Sequence, residues 1–145
     1  METTRGELKQ ADILPFITAG NARITIQNTE TGNRFTFKVR KPKKDTPHFV
    51  SVLTGSDNET NYTYLGTIFN EADYKRTAKS KIGADVPSAK AFAWFWRQLQ
   101  AGVELPKQLK VYHEGRCGRC GRTLTVPKSI ESGLGPDCRK LMNIS

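Results

Sequence analysis

Arg23-Ile24-Thr25-Ile26-Gln27 and, after a short break, Arg34-Phe35-Thr36-Phe37-Lys38-Val39-Arg40 decide the fold. Each run alternates apolar and polar side chains at a period of two, the pattern of a strand with one face buried. In the second run Phe35, Phe37 and Val39 point inward, while Arg34, Lys38 and Arg40 point outward. Glu30-Thr31-Gly32-Asn33 lies between them as a turn cluster, so the two runs are expected to form a β-hairpin.

Downstream, Lys41-Pro42-Lys43-Lys44-Asp45-Thr46-Pro47 reads as a basic loop, because its prolines cannot donate to a ladder. His48 to Leu53 and Tyr62 to Phe69 are two further strand candidates around a polar turn. The simplest topology is a four-stranded antiparallel meander. Both faces of the last two strands carry apolar residues, which leaves their buried face unassigned. Upstream, Asp12 to Thr18 reads as a short helix or turn ending at Ala19-Gly20. Residues 70–84 are basic and irregular. Pro87 then suits the first turn of a helix and Gly102 its C′ position. Between them Phe92, Phe95, Trp96 and Leu99 share one stripe, which should lie on the sheet. Trp94 sits off that stripe and is expected to pack against the C-terminal segment. Pro106 marks a junction. The expected architecture is therefore α+β: a domain over 1–106 with a four-stranded antiparallel meander and a packed helix, then a separate C-terminal module over 107–145.

The chain has 145 residues, 37% of them hydrophobic, enough for one ordinary domain with an appendage. No signal peptide or membrane span is visible, and the longest apolar stretch, Ala91 to Trp96, is far short of the roughly 20 residues that cross a bilayer. A cytoplasmic location with reduced thiols is expected. The net charge is +9 and unevenly spread. Residues 31–45 hold six basic residues against one acid, whereas 46–72 hold three acids and no Lys or Arg. Such a basic excess raises encounter rates with polyanions, nucleic acid above all.

All three cysteines lie in the last third, in His113-Glu114-Gly115-Arg116-Cys117-Gly118-Arg119-Cys120-Gly121-Arg122 and Gly133-Leu134-Gly135-Pro136-Asp137-Cys138. A Cys-x-x-Cys turn brings two sulfurs to one ion. Glycine after each cysteine is expected to supply unusual backbone angles and to clear the way for amides that donate to sulfur. Cys138 follows Pro136-Asp137 and should open a final short helix, Asp137 to Met142, whose N-terminus favours thiolate. With His113 the set becomes Cys₃His, a donor set that Zn²⁺ accepts in closed structural sites, in a treble-clef or zinc-ribbon-like arrangement. Should His113 not be the fourth ligand, Asp137, Glu114 or His48 are the next candidates. Arg116, Arg119 and Arg122 can offset the negative charge of three bound thiolates.

Catalysis has few residues left to use. There are two histidines, and one is assigned to the metal; the zinc-deaminase pattern and a phosphate-cradling loop are both missing. His48, in a proline-flanked basic loop, is expected at the surface. No enzyme is expected.

The stretch from His113 to Cys138, with Cys-Gly-x-Cys-Gly-Arg, Leu-Thr, Ser-Ile and Gly-x-Gly-Pro-x-Cys, resembles a small Cys-rich domain of unknown function found in bacteriophage and prophage proteins. The resemblance covers about a quarter of the chain and implies a phage origin, a zinc site and action in the host bacterial cytoplasm; it implies no activity. The expected function is non-catalytic binding of nucleic acid, DNA or RNA, through Arg34, Lys38, Arg40, Lys41, Lys43 and Lys44 with Arg116, Arg119 and Arg122, and with Tyr62, Tyr64 or Trp94 available to stack bases. The alternative is a protein-binding module that inhibits a host defence or nucleic-acid enzyme, its arginines meeting carboxylates on an acidic or nucleic-acid-binding surface.

Overall fold

The alternating runs become strands of one antiparallel sheet in the computed structural model, which describes residues 6–54, 61–70, 72–77, 79–80, 82–83, 85–114, 117–120, 133–135 and 138. The strands are β1 (Gly6–Glu7), β2 (Asn21–Asn28), β3 (Arg34–Arg40), β4 (His48–Leu53), β5 (Tyr62–Phe69), β6 (Asp73–Lys75) and β7 (Leu109–His113); the helices are α1 (Gln10–Ile17) and α2 (Pro87–Ala101). The strand order is β1-β7-β2-β3-β4-β5-β6.

The α+β class is as expected, but among the described residues the sheet has seven strands, not four. β2 to β5 do pair consecutively. β6 lies within the basic stretch 70–84, where three residues are too few to show a period. β7 makes the larger difference. It pairs with β2 from Ile24↔His113 to Asn28↔Leu109, so the segment leading into the cysteines is an interior strand. The 107–145 segment thus begins inside the sheet to which 1–106 contributes the other six strands.

Both helices cover the same face. Ala22, Ile24, Phe37, Val39 and Val50 point to it and are fully buried. α2 starts at Pro87 and ends on Gly102, whose φ of 70° closes the helix in the left-handed region. Phe92, Phe95, Trp96 and Leu99 are buried as the stripe requires. Phe92 packs on Phe37 with ring centroids 5.0 Å apart, and the Trp96 indole donates to the Ala72 carbonyl at 2.7 Å. Each such aromatic contributes about 1.5–3 kcal/mol by leaving water. α1 adds Ile13, Phe16 and Ile17 to the same core.

A bulge explains why β5 looks apolar on both sides, whereas in β4 Phe49 and Leu53 lie on the outer face by simple alternation. The register runs Val50↔Gly66 and then Ser51↔Tyr64, which leaves Leu65 as the extra residue. The bulge turns Leu65 inward, so that both Leu65 and Ile68 are fully buried, while Tyr62 and Tyr64 remain on the opposite face. His48 corrects the surface expectation: it shares the inward face with Val50 and Val52 and is 1% exposed. Its Nε2 lies 3.1 Å from the Thr18 carbonyl just past α1, which gives the buried ring a polar partner.

Candidate metal centre and the basic sheet face

β7 ends at His113, and the chain reaches Cys117 close beneath α1. Two backbone bonds hold the turn there: Asn21 N–H donates to the Gly118 carbonyl at 2.7 Å and Gly118 N–H to the Gly133 carbonyl at 2.9 Å. Phe16, fully buried, sits against both glycines. A Cβ on Gly118 would lie 2.7 Å from the Phe16 ring; on Gly133, whose φ is +75°, it would lie 2.5 Å from it. Gly118 is therefore needed for close approach and not for its backbone angle, which corrects the expectation that it supplies an unusual conformation. Gly133 is needed for both reasons.

The ligand atoms of Cys117, Cys120 and Cys138 lie within 4.8 Å of one another, and this group could hold a metal ion. Cys117 and Cys138 are buried, Cys120 is exposed, and all three are free thiols, so Cys117 and Cys120 are not joined as a disulfide. Backbone amides from both sides of the site donate to Cys117 Sγ: Gly135 N–H at 3.2 Å and Arg119 N–H at 3.4 Å. Burial pushes the Cys117 thiol up, but the amides of Cys120, Gly135 and Arg119 outweigh it and hold the group below the ordinary thiol range. Burial pushes Cys138 up to about 11, with Arg119 opposing and the neighbouring sulfurs adding to the rise. A divalent ion among the sulfurs favours thiolate at every position. The soft donor set and its amide donors fit such an ion.

His113 is fully buried, its ring 5.9 Å from that of Phe16 and bordering Gly133, and it is not part of the three-cysteine group. Glu114 is on the other face of the sheet, where its carboxylate accepts from Thr25 Oγ1 at 2.7 Å. Thr25 is bonded in turn to Thr36 at 2.8 Å. His48 is held at Thr18. Asp137, Arg116, Arg122 and the remainder of the expected final helix lie outside the described residues, as does the loop that would distinguish a treble clef from a ribbon.

The basic residues divide into a face and an end of the sheet. Arg34, Lys38 and Arg40 alternate onto the face away from α1 and α2, joined there by Arg23 through the pair Arg23↔Lys38. Lys41, Lys43 and Lys44 follow β3; Lys41 and Lys44 line a cleft of about 320 Å³ with Thr46, Pro47 and Asn70. Lys41 N–H bonds the Gly20 carbonyl, next to the Asn21 that bonds Gly118. The basic loop and the cysteine turn therefore flank the same two residues at one end of β2. Arg119 is exposed at this end, and its Nη1 lies 3.8 Å from Cys138 Sγ. Trp94 is elsewhere: half-buried on α2, it lines a cleft of about 420 Å³ with Ile26, Phe35 and Leu109. The Thr25–Glu114 pair and the Phe16 seat had no sequence signal, since both join positions far apart in the chain.

The fold and site define an α+β protein with a candidate three-cysteine metal centre. A family model described as a family of unknown function (DUF6011) matches residues 108–143, from β7 through Cys138. No curated protein and no solved structure matches the chain. Among the described residues, no helix is long and apolar enough to cross a membrane.

Proposed function

We propose that this chain is a non-catalytic zinc protein that binds nucleic acid through Arg34, Lys38, Arg40, Lys41, Lys43 and Lys44, with Arg119 and its neighbours Arg116 and Arg122 extending the contact. The observation that carries the reading is the charge placement: β2 to β5 contain no Asp or Glu, while their outer face carries Arg23, Arg34, Lys38 and Arg40, and the basic loop meets the cysteine turn at one end of that sheet. Nucleic acid is the polyanion to which such a surface is complementary.

Zinc is the proposed ion because three soft thiolates suit it and because it completes a tetrahedral site with one further donor. His113 is the proposed fourth ligand, buried next to Gly133 on the strand that enters the site. The ion would neutralise the thiolates and clamp the turn to β7, and the chain's residues would do the binding. The family resemblance is the ground for proposing a phage protein that acts in the host cytoplasm.

Titration of labelled DNA and RNA at low and moderate salt tests the reading. Affinity should fall steeply with salt, each phosphate contact adding about −0.9 to the slope of log K against log salt on duplex DNA. Failure to bind tighter than about 10⁻⁴ M refutes it. A host protein retained on the immobilised chain after nuclease digestion would replace phosphates by carboxylates as the target.

A further inference from the structure

The outer face of the sheet carries aromatic rings among its cations. Phe49 on β4 is 36% exposed, and its ring centroid is 6.5 Å from that of Tyr64 on β5, nearly edge-on at 62°. Tyr62 lies two residues along the same strand, about 7 Å away. Lys38 Nζ stands 5.6 Å from the Tyr62 ring centroid. The Tyr64 hydroxyl is tied to Thr67 and, at 3.0 Å, to Thr77, which holds the ring in one orientation. Around the rings stand Arg40, which pairs with Phe49 across the strands, and Lys75, which pairs with Thr67. Among the described residues the carboxylates at this face are Glu114, which is buried and accepts a hydrogen bond from Thr25, Glu7 at the β1 edge, 3.7 Å from Lys110 Nζ, and Asp73 at the β6 edge. Both helices bury their apolar stripes against the opposite face.

Cations alone do not distinguish a duplex from a single strand, but rings do. A duplex stacks its bases inward and offers a protein surface its phosphates, sugars and groove edges, but not the faces of its bases. A single strand can lay its bases on aromatic side chains while cations follow its backbone. We propose that the outer face of β3, β4 and β5 is a platform for single-stranded nucleic acid, with bases stacked on Phe49, Tyr62 and Tyr64 and phosphates held by Lys38, Arg40 and Lys75. This names the ligand class for the function proposed above and rests on that reading. The bland role for these rings is cross-strand packing, which would contribute to stability and not to strand selectivity.

Fluorescence anisotropy with the full metal-loaded chain separates the two. The probes are a labelled thymidine oligomer of about 20 nucleotides, longer than a typical single-domain site, and a duplex of the same length. The single strand is expected to bind at least about tenfold more tightly. Phe49→Leu and Tyr62→Leu keep an apolar side chain and lose the ring; each should weaken single-strand binding by about fivefold or more, with melting near that of the unsubstituted chain. Lys38→Gln should weaken both probes, since both carry phosphates. Equal affinity for the two probes, unmoved by either leucine substitution, overturns the platform and leaves the nucleic-acid reading standing. Absence of binding to both overturns the two together.

Discussion

Replacing Gly118 by alanine separates the two reasons for which a glycine follows a cysteine. Its φ is not in the left-handed region, so the backbone tolerates a side chain. The space does not. The new Cβ would lie 2.7 Å from Phe16 Cδ1 and Cε1 and 3.0 Å from the Phe16 carbonyl oxygen, where carbon contacts normally rest at about 3.5–4.0 Å. Phe16 is fully buried and has no solvent side to swing into, so the cysteine turn has to move off α1. Overpacking of this kind costs about 1–3 kcal/mol. For a chain of this length the melting temperature should fall by roughly 3–12 °C. Cys117 is the preceding residue, so metal affinity should fall as well, measured by competition with a chromogenic chelator. Phe16→Leu removes the offending ring carbons: in a double-mutant cycle Gly118→Ala should cost clearly less in the Phe16→Leu background, with coupling above about 0.5 kcal/mol. Unchanged melting of Gly118→Ala, or strict additivity in the cycle, refutes the steric account.

Three other substitutions test other parts of the structure. Cys138→Ser should abolish tight metal binding in elemental analysis and remove the metal-dependent part of the unfolding free energy; with free metal a thousandfold above Kd, that part is about 4 kcal/mol. Tyr74 has a buried hydroxyl with no hydrogen-bond partner among the described residues, so Tyr74→Phe should raise stability by about 1 kcal/mol in urea unfolding. The same burial pushes the Tyr74 pKa from 10.0 up to about 12; the native state then holds its proton where the unfolded chain has lost it. Stability should be undiminished below about pH 10, fall as the pH rises toward 12, and fall less in Tyr74→Phe. Thr25→Val takes a donor from the buried Glu114 carboxylate and should cost about 2 kcal/mol in the same unfolding assay.

How much of this was legible in the chain depends on the range over which each signal acts. The β2–β3 hairpin and α2 could be read directly, because their periodicity, turn residues and terminal Pro87 and Gly102 are local. β6 could not, because three residues do not establish a period. β7 reads along the chain only as a leader to the cysteines, since pairing it with β2 joins positions some 85 residues apart, and spacing along the chain carries no trace of that. His48 differs from its sequence reading for the same reason: the prolines and lysines before it suggest surface, and the Thr18 carbonyl that satisfies it comes from a distant part of the chain.

Composition and spacing alone determined that the three cysteines form a group, because Cys-x-x-Cys is a short-range turn and the one remaining cysteine has a glycine-rich approach. They also determined that Arg34, Lys38 and Arg40 share a face, because strand alternation is a property of the backbone. Only tertiary structure decided that the cysteine turn is seated on Phe16, that the basic loop and that turn meet at one end of β2, and that Phe49 and Tyr64 stand together among the cations. Those are relations between strands and loops distant in sequence. They are selected by burial and register, which act through space, whereas a motif records what acts along the chain.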